Sequence, residues 1–196
     1  MANIPLLRKN LETLGYRTAH FATARDAADY LNGQLNGTTV AFGGSMTLLD
    51  MGLYDSLSTH NTVYWHWKDS TLAQAAGAKV YITSVNGVAE TGELINIDGN
   101  CNRIAGSLFG HETVYLVVGV NKIAPDYDAA LFRARNVAAP LNARRLNKKT
   151  PCAVGEALKC YNCSSPDRIC RAMTVLWCKP TGCDYEVVLV DESLGY

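Results

Sequence analysis

Four of the seven cysteines in this 196-residue chain lie close together, as Cys152-x7-Cys160-x2-Cys163-x6-Cys170. A C-x2-C pair lets two thiolates converge on one metal ion or on neighbouring irons. Two flanking cysteines can then complete a four-thiolate shell. The spacing is neither that of bacterial ferredoxins nor the doubled C-x2-C of zinc ribbons. It therefore serves an iron–sulfur cluster or a zinc ion alike, and leaves a metal-free loop as a third reading. Cys160-Tyr-Asn-Cys163 sits in a polar, proline-containing stretch rather than at a helix start after a strand, which argues against a thioredoxin-type dithiol. Cys101, Cys178 and Cys183 stand apart and read as ordinary small side chains, with Cys178 and Cys183 able to approach each other across a turn.

A second concentration of chemistry runs from Thr83 to Arg103. It carries the carboxylates Glu90, Glu93 and Asp98, the amides Asn86, Asn100 and Asn102, and Arg103. Glu90 is a candidate general base or nucleophile, and Arg103 a two-pronged clamp for a carboxylate. Asp98 follows an apolar strand, where open α/β sheets place ligand-binding groups. A solvated hairpin of turn-forming Asn and Asp residues is the competing reading. Upstream, Gly43-Gly44-Ser45 joins a buried strand to a helix, a geometry that points backbone N–H groups at one spot and admits a phosphate or carboxylate. Such a turn can equally be a mere connection. Lys122 follows the strand Val114 to Val120 and is a further strand-end candidate. His66, between two tryptophans, reads as structural, and His20, His60 and His111 have no evident partners. The basic run Arg144, Arg145, Lys148, Lys149 reads as the solvated end of a helix.

Elements of an α/β domain must position these groups. Leu6, Leu7, Leu11 and Leu14 recur at helical spacing, and Gly15 is placed to stop that helix. A strand over about Arg17 to Phe21, a helix over Ala24 to Leu35 and a buried strand over Thr38 to Phe42 follow. Further strands are expected at Thr62 to Trp65, Val80 to Ser84, Leu94 to Ile97 and Val114 to Val120, with a helix from Asp126 to Ala138 after Pro125. Alternating strands and helices predict a mostly parallel sheet flanked by helices. The stretch from residue 150 to 172 lacks hydrophobic period and is expected to be a Cys-rich metal-binding loop. Beyond it, Met173 to Trp177 and Glu186 to Val190 flank Lys179-Pro180-Thr181-Gly182 and predict a C-terminal hairpin. With no repeat or low-complexity linker, residues 1–196 are expected to form one domain.

Composition agrees with a globular protein: 48% of residues are apolar and 18% charged, and 18 basic residues balance 18 acidic ones. That balance gives no reason to expect nucleic-acid or anionic-membrane partners. The start, Met-Ala-Asn-Ile-Pro, lacks the charged-then-apolar pattern of a signal peptide, and no apolar run reaches the roughly 20 residues of a spanning helix. A cytoplasmic protein with reduced thiols is the expectation, which disfavours disulfides.

Several motifs occur in order along nearly the whole chain: Gly43-Gly-Ser-Met-Thr, Thr83-Ser-Val-Asn-Gly, Thr91-Gly-Glu-Leu-Ile-Asn-Ile-Asp-Gly and Asn102-Arg103. Val118-Val-Gly-Val-Asn-Lys-Ile, Arg135-Asn-Val-Ala-Ala-Pro-Leu-Asn-Ala, Cys163-Ser-Ser-Pro-Asp-Arg-Ile-Cys and Leu194-Gly-Tyr complete the series. Together they resemble the LUD (lactate-utilisation) family. The resemblance implies a fold like ribose-5-phosphate isomerase, glucosamine-6-phosphate deaminase and the CoA-transferases. It implies that Gly43, Gly44 and Ser45 sit at the anion end of a pocket lined by Asn86, Glu90, Asp98, Asn102, Arg103 and Lys122. It also implies a 4Fe–4S cluster on Cys152, Cys160, Cys163 and Cys170, ahead of zinc. The function so implied is an iron–sulfur oxidoreductase component acting in metabolism of L-lactate or a related hydroxy acid. Redox partner subunits or a homo-oligomer would accompany it, since no dinucleotide fingerprint follows Gly43-Gly44. The alternatives are an isomerase, hydrolase or acyl-transfer enzyme on a small anion with Glu90 and Asp98 as catalytic carboxylates, or a non-catalytic ligand-binding subunit.

Overall fold

A computed structural model describes residues 2–196. The chain opens with α1 (Ile4–Thr13), β1 (Arg17–Phe21), α2 (Ala24–Gln34), β2 (Thr39–Phe42), α3 (Met46–Asp50), α4 (Leu53–Leu57) and β3 (Thr62–Trp65). It continues with α5 (Leu72–Ala76), β4 (Val80–Thr83), β5 (Gly87–Ala89), β6 (Leu94–Asp98), α6 (Asn102–Leu108), β7 (Thr113–Gly119) and β8 (Ile123–Ala124). The remainder is α7 (Tyr127–Arg133), α8 (Ala139–Arg145), α9 (Pro151–Val154), β9 (Ala172–Leu176) and β10 (Asp184–Val190).

Six strands form a parallel sheet in the order β1-β10-β7-β4-β2-β3. Its inner strands are apolar at almost every position because both faces are covered. Tyr115, Val117, Val188 and Val190 pack on one face with Leu31 of α2, Leu48 of α3 and Leu57 of α4. Their neighbours Leu116, Val118, Val187 and Leu189 pack on the other with Leu7 and Leu11 of α1. The side-chain period of two thus divides a continuous apolar run between two cores. Helix starts follow their sequence signals: Thr23 accepts from Asp26 N at 3.1 Å, and Asp126 from Ala129 N at 2.8 Å.

Three sequence expectations are corrected. The C-terminal hairpin does not form. β9 pairs antiparallel with β6 in a separate four-stranded sheet ordered β8-β5-β6-β9, whereas β10 enters the large sheet between β1 and β7. Burial explains the parting. β10 is apolar on both sides and finds cover only in the sheet interior, while β9 carries an exposed Met173 that suits an edge. The helix expected at 126–138 runs on to Arg145 through a π turn at Ala134–Ala138. Pro140 has no N–H to donate and its ring crowds the carbonyl one turn back, so a widened turn carries the chain past it. The Cys-rich segment also holds the short helix α9 and is tied by Arg144, which donates to the Gly155 carbonyl at 2.8 Å. Among the described residues no helix is long and apolar enough to cross a membrane.

Candidate functional site

The ends of β2, β4, β6 and β7 meet the last turn of α8 and the stretch Pro166–Arg171 around a cavity of about 500 Å³. That volume suits a small metabolite. Its lining includes Gly44, Ser45, Asn86, Asp98, Asn102, Arg103 and Lys122, all expected from the sequence. β6 belongs to the second sheet, so Asp98 reaches this cavity from a neighbouring layer and not along the parallel edge shared by β2 and β7.

Lys122, in a 3-10 turn directly after β7, is 3% exposed. Its Nζ donates to Thr47 Oγ1 at 2.7 Å and to Ser84 Oγ at 2.8 Å. No carboxylate pairs with it among the described residues. Burial holds the amine well below the usual lysine value, the Arg133 and Arg103 cations push the same way, and Asp50 offsets them in part. Arg133 lies behind, donating to the Asn121 and Asn86 carbonyls at 2.6 and 2.5 Å, and burial brings its own value down to about 10.

Arg103 differs from the clamp that its sequence position suggests. Nη1 donates to the Ser84 carbonyl at 3.1 Å and Asn96 Oδ1 at 2.5 Å; Nη2 donates to Asn86 Oδ1 at 2.9 Å and the Ile97 carbonyl at 2.7 Å. A guanidinium has five N–H donors, and four are committed to the protein. Arg103 is thus a stitch between the end of β4 and β6, with Nε its one donor that has no partner among the described residues. Asp98 is similarly occupied. Oδ1 accepts from Gly99 and Asn100 N, and Oδ2 from Arg103 and Ile104 N at 2.9 and 3.1 Å, so the carboxylate satisfies the first donors of α6. The charge of Asp98 is thus spent on backbone N–H groups.

Glu90 does not line the cavity. Its Oε1 accepts from Asn3 N at 2.6 Å beside the start of α1, because the turn after β5 leads away from the strand ends. The isomerase or hydrolase reading loses its nucleophile there. Gly43 also lies outside the lining. A Cβ on it would meet Thr83 Oγ1 at 2.5 Å, and one on Gly44 would meet the Trp67 indole at 3.1 Å. These glycines make room for sheet and tryptophan, while Ser45 accepts from Leu48 N at 3.4 Å as the cap of α3.

The sequence model of the LUD domain matches residues 4–190. The chain belongs to the LUD domain family. Among solved structures, a DUF162 family protein from Deinococcus radiodurans is similar at 14% identity over 95% of each chain, with a TM-score of 0.58. Ribose 5-phosphate isomerase from Plasmodium falciparum is similar at 11% identity over 52% of each chain, with a TM-score of 0.36. The beta subunit of eIF2B from Chaetomium thermophilum is similar at 15% identity over 54% of this chain and 44% of its own, with a TM-score of 0.38. No curated protein matches the sequence.

In this LUD domain the cysteines do not assemble as the spacing suggests. Among the described residues no three His, Cys, Asp or Glu side chains converge as metal donors. Cys160 and Cys170 border a second cavity of about 240 Å³, which Cys152 and Cys163 do not. Cys160 Sγ accepts from Asn162 N at 3.3 Å, and Cys152 Sγ lies 3.3 Å from Thr150 Oγ1. As folded here the four thiols make no closed four-thiolate shell.

The LUD domain's cavity also holds groups that sequence reasoning passed over. Arg145 and Lys148, read as a solvated helix end, line it, and the Arg145 guanidinium lies 5.1 Å from the Trp67 ring centroid. His66 lines it too; burial lowers its imidazole below the usual value, against an opposing pull from Asp98. Ser84 and Tyr196 also line it, Thr47 joins Ser84 in holding Lys122 Nζ, and Asn121 accepts from Leu194 N and donates to the Gly195 carbonyl. The signal for the cations lay in the run after Pro140, had the last turn of that helix been aimed at the strand ends.

Proposed function

We propose that this LUD domain binds a small anionic 2-hydroxy acid, L-lactate or a close relative, in its main cavity and takes part in that acid's metabolism. The observation that carries the reading is the charge of the lining. Arg103, Arg145, Lys148, Arg168 and Arg171 outnumber the lining side-chain carboxylates Asp98 and Asp167. Asp98 is occupied by backbone donors, and Asp167 Oδ2 accepts from Lys149 N at 3.0 Å. Low-dielectric walls around fixed cations concentrate anions of this size. Family membership supports the link to lactate utilisation.

The carboxylate clamp moves, in this reading, from Arg103 to Arg145. Both Nε and Nη2 of Arg145 hold Asn142 Oδ1, at 3.0 and 2.9 Å, which orients the group while leaving Nη1 and the second Nη2 hydrogen for a ligand. Calorimetric titration of L-lactate into wild type and Arg145→Gln tests this. The variant is expected to lose about 1.5–3 kcal/mol, roughly 10- to 100-fold in Kd. Absence of lactate and phosphate binding to the wild type would sink the reading.

A 4Fe–4S cluster on Cys152, Cys160, Cys163 and Cys170 is proposed on spacing and resemblance alone, and it requires the segment to draw its thiols together. Anaerobic purification with iron, sulfide and zinc analysis decides. Iron and sulfide in equal amounts, lost in Cys163→Ala and kept in Cys178→Ala, support the cluster. Stoichiometric zinc replaces it with a structural site, and metal-free protein removes both.

A further inference from the structure

We infer that Lys122 is a nucleophilic amine that forms an imine with a 2-oxo acid held in the main cavity. The inference rests on the anion-binding reading of that cavity and deepens it. It names the oxidised counterpart of a hydroxy acid as a ligand and makes the contact covalent.

The geometry accommodates a neutral amine with both hydrogens used. An –NH2 group has two donors and one lone pair, and Nζ has two hydroxyl acceptors within 2.8 Å, Thr47 Oγ1 and Ser84 Oγ. Each hydroxyl has its own proton placed elsewhere: Thr47 Oγ1 reaches the Leu194 carbonyl at 3.2 Å and Ser84 Oγ the Val85 carbonyl at 3.5 Å. Both hydroxyls therefore accept from the amine, its two hydrogens are used, and the lone pair is left over beside a cavity that the residue borders. An ammonium would bring a third hydrogen and a full charge to a place with no paired carboxylate. Burial and the nearby Arg103 and Arg133 cations disfavour the charged form in the same sense. Desolvation beside other cations is how lysines are made nucleophilic.

The step balances without an oxidant. The Nζ lone pair forms a C–N bond to the carbonyl carbon, and the C=O π pair moves to oxygen. The two amine hydrogens leave with that oxygen as water, relayed through the Ser84 and Thr47 hydroxyls, and a C=N bond remains. Addition of water reverses it.

The experiment incubates the full chain with pyruvate and cyanoborohydride near neutral pH and locates reduced adducts by peptide mass spectrometry. Lys122 is expected to label at least about tenfold faster than exposed lysines such as Lys68 and Lys79, since each unit of lowered pKa gives about ten times more free amine. Lys122→Met abolishes that adduct. Ser84→Ala keeps the lysine and slows labelling, which separates the local device from loss of the fold. Absence of an adduct on Lys122, or labelling no faster than on exposed lysines, overturns the inference. Lactate, which has no carbonyl to condense, is titrated into the same preparation. Lactate binding without a Lys122 adduct removes the imine alone, whereas failure of lactate and phosphate to bind removes the anion-site reading.

Discussion

Arg103→Met is expected to lower the melting temperature by about 10 °C, a larger loss than from any other single change at the cavity. The substitution keeps an unbranched stem but ends two atoms short of the guanidinium nitrogens, and it removes four hydrogen bonds, to Asn86, Asn96 and the Ser84 and Ile97 carbonyls. Two of those acceptors belong to backbone beside the buried residues Ser84 and Asn96 and would face an apolar side chain instead. Hydrogen bonds to a charged group contribute about 1.5–3 kcal/mol each in isolation, and breaking a buried network costs about 3–5 kcal/mol in all. For a domain near 200 residues each kcal/mol moves the melting temperature by about 2–4 °C. Thermal unfolding followed by circular dichroism measures it. A shift under about 3 °C would return Arg103 to the role of a ligand clamp.

The second large effect has the opposite sign. Lys122→Met is expected to stabilise the protein by about 1–3 kcal/mol near neutral pH. An amine buried without a carboxylate costs stability, and replacing such groups with apolar ones of similar volume is often neutral or favourable. The two hydroxyls left behind lie 3.4 Å apart and can bond each other. A pH series separates this effect from simple repacking. The folded amine lies well below its ordinary value of 10.5, so between the two values the unfolded chain holds a proton that the folded chain does not. Stability of the wild type therefore rises with pH across that window, at up to about 1.4 kcal/mol per unit, and the Lys122 penalty is complete below it. Denaturant midpoints from pH 7 to 9.5 should rise more steeply for wild type than for Lys122→Met. Parallel curves would mean that the amine titrates normally.

These effects show where the sequence was readable. Lys122 is legible as a candidate because it follows an apolar strand, and strand ends in α/β sheets face a common edge. Its company was not readable: Thr47 and Ser84 lie 75 and 38 positions away. Arg103 was placed at the cavity for the same reason as Lys122, but its role changed because its acceptors come from the end of β4 and from β6. The place of Glu90 is not legible because the four residues joining β5 to β6 decide whether its carboxylate points to the cavity or, as here, to the start of α1.

The amino-acid sequence by itself determined the eight strands of four or more residues, the helices α1, α2 and α7, the burial of both sheet faces, and family membership. Those properties follow from local periodicity and from motif residues within reach of one another along the chain. Only the tertiary structure decided that β10 enters the sheet between β1 and β7 while β9 leaves it, and that Arg145 and Lys148 turn a solvated helix end into the wall of a cavity. Periodicity records how deeply each residue is buried, and it is silent on which distant element buries it. A strand apolar on both faces satisfies its pattern at any interior position, so its neighbours are chosen by packing of the whole domain, and the site forms where those neighbours end.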